Sequence, residues 1–366
     1  MWKSLFTLFI VLTLCSCSKD EILLDKEISS SQEKNTSPGL EVEPAYYYLN
    51  LFDRNGGGWT GSDGTYSLPL PDGRVLWSFG DTFLGTVNPD YSRPFSGLIN
   101  NSFMIQDGSN MITYHGGTTE NPEAYVKPSN PDYFYWPGDA TVIGDRVLMY
   151  MQIIHLTGAG GAFGFEHLGA DIAIFQLPSF ELISLLPYEL STDILPGVSI
   201  YEESQYIYSY ATRSVNGKNT LVSRVHISDP SSEEYWNGTE WQSSRVINAY
   251  MKLDNGQNLK TSNMFTVFKY GGKYRLVTQA DYLGRRIFVY SGNSPMGPWG
   301  NRQVIYTTPE TAGDIWTYNA YAHPHIIHPE KGILISYNVN SFDFLGLFED
   351  ARIYRPRFIW VKPVND

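Results

Sequence analysis

The hydrophobic pattern of this chain consists of short apolar runs separated by turn residues, and one arrangement recurs five times. Its core is a strand-like segment that begins 59 to 72 residues after the previous one, at 73–79, 145–151, 205–211, 272–278 and 331–337. Short runs rich in aromatic and β-branched residues, bounded by Gly, Asp or Asn, are typical of antiparallel strands. We therefore expect each core to be the second strand of a hairpin.

Further strand-like segments flank every core in the same order. A preceding strand is predicted at 65–70, 139–143, 198–202, 264–270 and 323–327. A following strand is predicted at 102–106, 171–177, 221–227, 286–291 and 357–362. Units one to four add a weaker fourth strand at 111–115, 181–186, 240–246 and 302–308. Each of these units therefore predicts a four-stranded antiparallel sheet.

Five such repeats predict an all-β fold, specifically a five-bladed β-propeller with four-stranded blades. The apolar segment 45–52 is predicted to be the strand that closes the last blade beside 357–362, which would protect an open edge. A β-sandwich or a β-helix is the alternative, although a sandwich does not repeat one strand order five times. The propeller domain is placed at 43–366, after a polar segment 18–42 that predicts a flexible tether.

The first 17 residues have the pattern of an export signal. Lys3 precedes an apolar run from Leu5 to Leu14, about half the ~20 residues that a membrane-spanning helix needs. Residues 14–17, Leu-Cys-Ser-Cys, resemble the lipobox of bacterial lipoproteins, whose last cysteine, here Cys17, is acylated. Lys-Asp-Glu at 19–21 resembles the surface-export signal of Bacteroidetes lipoproteins. We expect a lipid anchor on Cys17 and an outer-membrane, cell-surface location; an ordinary cleaved leader would also export the chain.

Composition excludes several classes of chemistry. Both cysteines lie in the leader, so the domain can use neither disulfides nor a thiolate nucleophile nor cysteine-bound zinc. A net charge of −12 without a basic run argues against nucleic acid as a partner. Aromatic residues, at 15%, are nearly as frequent as charged ones, at 17%, which favours a surface that stacks on ring-shaped ligands. No cofactor is expected, while a structural calcium ion in the central channel stays an open alternative.

The propeller also predicts where a ligand would bind. In each blade the first strand begins, and the antiparallel second strand ends, at one face of the channel. The side chains at those positions are all polar: Asp63, Asp81, Asp139, Gln152, Ser199, Arg213, Asn263, Gln279, His323 and Asn338. The predicted rim consists of Trp59, Tyr135 and Trp136, and two further substrate-binding candidates are Asn101 and His155. Polar groups beneath aromatic rings are what a carbohydrate pocket requires.

Three carboxylates of this set are candidate catalytic residues. Asp63 and Asp81 are predicted at adjacent ends of one hairpin, with Asp139 across from them. Two carboxylates beside a glycosidic bond can divide the work of acid and base, because mutual repulsion and unequal burial separate their pKa values. A turn-forming or loop-capping role is the alternative for Asp63 and Asp81.

Two other features resemble known sites superficially. The glycine-rich segment 157–164 lacks the Lys-Ser/Thr ending of a phosphate-binding loop, so a loop at the pocket edge is predicted instead. The histidines His323, His325 and His328 have no acidic or cysteine partner at ligand spacing, and no metal site is predicted from them.

Segment 61–85, GSDGTYSLPLPDGRVLWSFGDTFLG, resembles the opening of bacterial propeller domains of unknown function 4185 and 5005. The resemblance continues in 100–105, 135–152, 294–300 and 318–338. The first of these families includes glycoside hydrolase family 183, which is endo-acting on D-arabinofuranan. The layout is more distantly similar to the arabinofuranosidases of families 43 and 62.

This resemblance places Asp63 and Asp81 on the acidic positions of the opening motif, and Asp139 on the second-blade acid. The third-blade general acid of family 43 has no clear counterpart, because Glu202 and Glu203 lie near a hairpin turn. The resemblance implies a glycoside hydrolase that acts on a furanose-containing, arabinan-like or related polysaccharide or oligosaccharide. Inversion of the anomeric configuration is expected by analogy. The alternative is a surface glycan-binding propeller lipoprotein without catalysis, which would not need three converging acids.

Overall fold

The computed structural model describes residues 40–94, 97–280 and 283–362 of the chain. These residues belong to one compact unit. The predicted leader, its lipidation site Cys17 and nearly all of the predicted tether lie outside the described residues. Within the described part of the chain, no helix is long and apolar enough to cross a membrane.

The described residues form 26 strands and three short helical segments. The first strands in chain order are β1 (Glu41–Pro44), β2 (Gly58–Ser62), β3 (Tyr66–Pro69), β4 (Val75–Phe79), β5 (Thr82–Gly85), β6 (Leu98–Ile99), β7 (Ser102–Asp107), β8 (Asn110–Tyr114), β9 (Gly116–Gly117) and β10 (Pro122–Glu123). The next are β11 (Tyr133–Ile143), β12 (Arg146–Leu156), β13 (Phe165–Gln176), β14 (Glu181–Tyr188), β15 (Ile194–Glu203), β16 (Tyr206–Ser214), β17 (Lys218–His226), β18 (Asp229–Trp236) and β19 (Trp241–Gln242). The last are β20 (Phe265–Tyr270), β21 (Lys273–Gln279), β22 (Arg286–Gly292), β23 (Trp299–Thr307), β24 (Ile315–His328), β25 (Gly332–Ser341) and β26 (Arg357–Lys362). The helical segments are α1 (Tyr46–Leu51), α2 (Gly346–Glu349) and a 3-10 turn at Ala351–Tyr354.

Five of the sheets follow one another along the chain, and each is an antiparallel meander. The first sheet has the order β3-β4-β7-β8, the second β11-β12-β13-β14, the third β15-β16-β17-β18-β19, the fourth β20-β21-β22-β23 and the fifth β24-β25-β26-β1. Two smaller sheets, β2-β5-β6 and β9-β10, accompany them. The all-β prediction and the five repeated hairpins with a third strand are confirmed.

The first strands of the five sheets contact one another in chain order, and β24 of the fifth contacts β3 of the first. Polar side chains tie four of these junctions. The pairs are Asp139 with the Ile200 N–H (2.6 Å), Ser199 with the Val267 N–H (3.0 Å), Thr266 with the Ala322 N–H (2.9 Å), and His323 with the Ser67 hydroxyl (2.5 Å). These bonds satisfy buried backbone and side-chain groups where neighbouring sheets meet.

The prediction that residues 45–52 form the closing strand is wrong. Residues 46–51 form helix α1, and the strand that pairs with β26 is β1, from Glu41 to Pro44, which begins in the last two residues of the segment predicted as a tether. The buried residues Ala45, Tyr48 and Phe52 recur at intervals of three and four, which is the period of a helix face rather than of a strand. Tyr48 and Phe52 pack on Phe358 of β26, with ring centroids 5.7 and 4.8 Å apart.

The fourth strand of the third sheet also differs from its prediction. Strand β18 occupies that place, and the predicted segment 240–246 contributes only the two-residue strand β19 beyond it. The sequence of β18, DPSSEEYW, is polar and its first half is exposed, so it carries no hydrophobic pattern from which a strand could be predicted.

Candidate active site

A cavity of about 280 Å³ opens where the first strands of the sheets begin. Residues from all five sheets, or from the segments just before them, line it. Its walls include Asp63, Asp81, Trp136, Gln152, Phe163, Phe165, His167, Asp193, Lys218, Asn263, Trp316, Tyr318, Asn340 and Tyr354. The cavity therefore gathers residues that lie as far apart in sequence as Asp63 and Tyr354.

The backbone holds the two acids of the opening motif side by side. The N–H of Asp63 donates to the carbonyl of Asp81 (3.3 Å), and the N–H of Gly80 donates to the carbonyl of Asp63 (3.0 Å). A Cβ atom on Gly80 would lie 2.6 Å from Asp63 Oδ1 and 3.4 Å from Trp136 Cδ1. Glycine at position 80 therefore lets the Asp63 carboxyl approach the neighbouring strand end.

Asp63 is half-buried and receives phenolic hydrogen bonds. The Tyr318 hydroxyl donates to its Oδ2 (2.6 Å), and the Tyr354 hydroxyl is a second donor. Burial raises the pKa of Asp63, whereas these two hydroxyl donors stabilise the carboxylate and oppose that rise.

Asp81 is half-buried beside it, with different partners. Its Oδ1 accepts from the Trp136 indole (2.8 Å) and from the Asn100 amide (3.1 Å). Burial, and then the charge of Asp63, raise the pKa of Asp81 to about 7, against the opposing effect of the two donors. At neutral pH the Asp81 carboxyl is therefore protonated in a substantial fraction of molecules, and negative charge on Asp63 favours that state.

Aromatic rings form two walls beside the acids. On one side Trp136 meets Phe165 edge-on, with centroids 4.7 Å apart. On the other, Trp316 lies 4.3 Å from Tyr318 and 6.0 Å from Phe163. Aromatic walls with a few polar groups between them suit ligands that combine C–H surfaces with hydroxyls.

The wall formed by the second and third sheets is polar. Asp193 is paired with Arg213, whose Nε lies 2.7 Å from its carboxylate. The hydrogen bond from the Ser191 hydroxyl, and then the pairing with Arg213, lower the pKa of Asp193, so it stays ionised. Gln152 Oε1 lies 3.1 Å from His167 Nε2, and burial lowers the pKa of that imidazole. Lys218 completes this wall.

The sequence matches the family described as Domain of unknown function (DUF5005) over residues 46–364. The chain belongs to the DUF5005 family. No curated protein sequence matches it.

Solved structures are similar to this DUF5005 domain to different degrees, and the first of the three below shares its fold. A candidate hydrolase of Bacteroides ovatus superposes with a TM-score of 0.75 at 22% identity, covering 91% of this chain and 96% of that one. A GH43 enzyme of Xanthomonas citri, solved with xylose, gives a TM-score of 0.48 at 11% identity, with coverages of 86% and 92%. An exo-β-1,3-galactanase of Phanerochaete chrysosporium, solved with galactose, gives 0.47 at 14% identity; 82% of this chain matches 60% of that enzyme.

Of the predicted site residues, the DUF5005 cavity brings together Asp63, Asp81, Trp136, Gln152 and Asn263. Asp139 lies behind the wall and is 4% exposed. Its carboxylate accepts from the N–H groups of Ala140 (2.8 Å) and Ile200 (2.6 Å) and from the Tyr321 hydroxyl (2.7 Å). Burial raises the pKa of Asp139 to about 7.

The other predicted substrate-binding residues do not line the cavity: Trp59, Asn101, His155, Arg213, Gln279, His323 and Asn338. Trp59 is buried in the core against Phe52 and Phe79, and the predicted rim residue Tyr135 is buried too. His155 pairs with Glu166 (2.8 Å), away from the acids.

The other predicted substrate-binding residues that do not line the cavity form hydrogen bonds with protein groups. Asn101 forms hydrogen bonds with the backbone of Val126 and Tyr135. Gln279 forms hydrogen bonds with the backbone of Gly284 and Ala320, and Asn338 donates to the Thr65 hydroxyl. Arg213 lies behind Asp193, and His323 lies between the Ser67 and Ser336 hydroxyls. A polar residue at a strand end can face the channel or tie two sheets together, and the sequence pattern does not distinguish these positions.

Several cavity residues were absent from the predicted set: Phe163, Phe165, His167, Asp193, Lys218, Trp316, Tyr318, Asn340 and Tyr354. Trp316 and Tyr318 occupy alternate positions at the start of β24, a signal that a longer predicted strand would have included. Phe163 lies in the glycine-rich segment 157–164, which was correctly predicted at the pocket edge. Within the described ranges, no three His, Cys, Asp or Glu side chains group as a metal site would require.

Proposed function

We propose that this DUF5005 domain is a glycoside hydrolase whose catalytic pair is Asp63 and Asp81. The observation that carries the proposal is the pair itself: two adjacent, half-buried carboxyls with different hydrogen-bond partners line an aromatic-walled cavity. Glycosidic bond cleavage needs one protonated and one ionised carboxyl at the same pH. The charge of Asp63 helps burial to raise the pKa of Asp81 to about 7, so we assign Asp81 as the acid and Asp63, whose carboxylate accepts from two tyrosine hydroxyls, as the base.

In this mechanism the protonated Asp81 donates its proton to the glycosidic oxygen as the bond to the anomeric carbon breaks. The Asp63 carboxylate accepts a proton from a water molecule, whose oxygen attacks the anomeric carbon. One water is consumed, and two hydroxyl-terminated fragments leave. Asp63 then releases its proton to solvent and Asp81 takes one up from solvent, which restores the starting state. This route inverts the anomeric configuration, and product NMR showing retention would instead make Asp63 a nucleophile.

The expected substrate is an oligosaccharide or polysaccharide containing furanose units, of the arabinan type. The family resemblance suggests this sugar, and the aromatic walls of Trp136 and Trp316 suit its C–H faces. We also propose that the five sheets close into a five-bladed propeller, which is supported by the contact between β24 and β3. The lipobox-like segment supports an outer-membrane, cell-surface lipoprotein anchored through Cys17.

The test is a panel of purified plant, bacterial and mycobacterial polysaccharides, assayed for reducing ends with wild type, Asp63→Asn and Asp81→Asn. We expect each variant to lose at least ~100-fold in turnover, the usual scale for a general acid or base, while still binding the glycan. Asp132→Asn, on an exposed acid outside the cavity, is the matched control and should behave as wild type.

Full activity of both variants on a cleaved polysaccharide would reject the assignment of the pair. Binding by wild type without hydrolysis of any polysaccharide in the panel would instead favour the second reading, a surface glycan-binding protein.

A further inference from the structure

Large apolar side chains are exposed together at one edge of the cavity. Phe163, Phe342, Phe344 and Leu345 are 44%, 52%, 49% and 63% exposed. We call these four residues the rim patch. Three of them follow β25 in the fifth sheet, and Phe163 comes from the glycine-rich segment after β12. Contiguous exposed apolar surface on a soluble domain commonly marks a binding site.

The rim patch is continuous with the aromatic wall of the cavity. Trp316, which is 5% exposed and lines the cavity, lies 5.5 Å from Phe342 and 6.0 Å from Phe163 between ring centroids. Phe163 and Phe342 are themselves 6.3 Å apart. On the inner side, the Trp316 ring contacts Tyr318, whose hydroxyl donates to Asp63. An unbroken aromatic surface therefore runs from the catalytic carboxyl to the outside.

The loop that carries the patch is held by its own hydrogen bonds. The N–H of Phe342 donates to the Asp314 carbonyl (2.9 Å), that of Asp343 to the Ser341 hydroxyl (3.0 Å), and that of Leu345 to the Asp343 carboxylate (3.0 Å). These bonds fix the backbone so that the apolar side chains stay outside. The exposed area of these side chains contributes no hydrophobic free energy to folding, and a ligand that covers it would gain that free energy on binding.

We propose that the rim patch binds sugar units of a glycan chain beyond the unit held at the catalytic pair. The proposal rests on the function proposed above for the cavity. At about 280 Å³ the cavity is no larger than a small-molecule site, so a polymeric substrate must leave it across the rim. The C–H faces of sugars stack on aromatic rings, and Phe342 is an exposed ring in contact with Trp316 of the cavity wall. The ligand is therefore a chain of several sugars, not a single residue or disaccharide.

The experiment is affinity electrophoresis of the full chain in gels containing linear arabinan, arabinogalactan or arabinoxylan. We expect at least one of these polymers to retard wild type, and Phe342→Ala to bind it at least ~10-fold more weakly. Tyr46→Ala removes an exposed aromatic ring on α1, 68% exposed and outside the cavity, and should bind as wild type. Melting temperatures of both variants within a degree or two of wild type show that the fold is intact.

A kinetic readout separates this role from a structural one. On a polymer that is cleaved, Phe342→Ala should raise KM at least several-fold with little change in kcat, while hydrolysis of a short aryl glycoside is unchanged. The proposal for the rim patch is overturned if Phe342→Ala is retarded as strongly as wild type. It is also overturned if none of the three polymers retards wild type. Retardation that depends on Phe342, without hydrolysis, supports the rim patch and rejects the hydrolase function. Hydrolysis that Phe342→Ala does not change supports the hydrolase function and rejects the rim patch.

Discussion

At the scale of single residues, the indole of Trp136 links the aromatic wall to the chemistry. Its N–H donates to Asp81 Oδ1 and stabilises the ionised carboxyl, so it lowers a pKa that burial and Asp63 raise to about 7. If Asp81 must be protonated to act, activity declines as pH rises through about 7. Replacing the indole removes one of the forces that keep this pKa down.

We therefore expect Trp136→Phe to move the alkaline limb of the pH dependence of kcat/KM to higher pH, as well as lowering the rate. Phe165→Leu alters the same aromatic contact without touching Asp81, and serves as the control. An unchanged alkaline limb in Trp136→Phe would show that Asp81 is not the titrating acid.

Asp139 is a second residue whose role can be tested, because its three hydrogen-bond donors are all protein groups. An amide at this position cannot accept from both backbone N–H groups, so Asp139→Asn should lower the free energy of unfolding by about 1–3 kcal/mol. Exposed Asp145→Asn should change it by less than ~0.5 kcal/mol. Urea denaturation followed by fluorescence measures both. If Asp139→Asn lowered activity without lowering the free energy of unfolding, Asp139 would have to be assigned a catalytic role.

The difference in unfolding free energy between wild type and Asp139→Asn should depend on pH in a definite direction. The folded pKa of Asp139, about 7, lies above its value in the unfolded chain, so the folded state binds the extra proton. Its contribution to stability is complete below the unfolded pKa and is lost as pH rises through about 7. The stability advantage of wild type over Asp139→Asn should therefore be larger at pH 5 than at pH 8.

The sequence predicted the acids of the site better than its aromatic and amide members. Asp63 precedes the first strand of its predicted hairpin and Asp81 follows the second, so their shared face could be inferred from antiparallel pairing alone. Gln279 and Asn338 fit the same rule but form hydrogen bonds to neighbouring segments, because a strand's twist and bulges decide which side a terminal side chain faces. Tyr354 lies in a turn between β25 and β26, for which strand periodicity predicts nothing.

At the scale of elements, strand β1 covers the outer edge of the fifth sheet. It pairs with β26 from Glu41–Lys362 to Pro44–Ile359, and Leu40 and Val42 pack on a buried cluster. Removing residues up to Pro44 should expose the edge of β26, lower the melting temperature by at least ~2 °C and promote aggregation. A chain that begins at Leu40 keeps the strand and is the control. Equal melting temperatures would mean that β1 contributes no stability.

Strand prediction succeeded where one face of the strand was buried. The second strands, such as β4 and β21, are almost wholly buried and central in their sheets, and their apolar residues made them predictable. Two edge strands, β1 and β18, escaped prediction because they are short or polar and largely exposed. Helix α1 was missed since its aromatic residues suit either structure, and only their spacing indicates a helix.

At the scale of the whole molecule, the proposed anchor predicts where the protein resides in a Gram-negative cell. Cys17→Ser should release the protein from the membrane fraction into a soluble one, because the acylated side chain is lost. Cell fractionation with immunoblotting measures this, and circular dichroism of the released protein should match wild type. Wild type that is already soluble after export would reject the anchor.

The pairing of β1 with β26 also determines the order in which the molecule can fold. Glu41 and Lys362, which lie opposite each other at one end of this pairing, are 321 positions apart in the chain. Strand β1 therefore has no partner during synthesis until β26 has been made, and closing so long a loop is entropically slow. The central sheets can form earlier from local hairpins, so joining of the two chain ends is the step at which folding is completed.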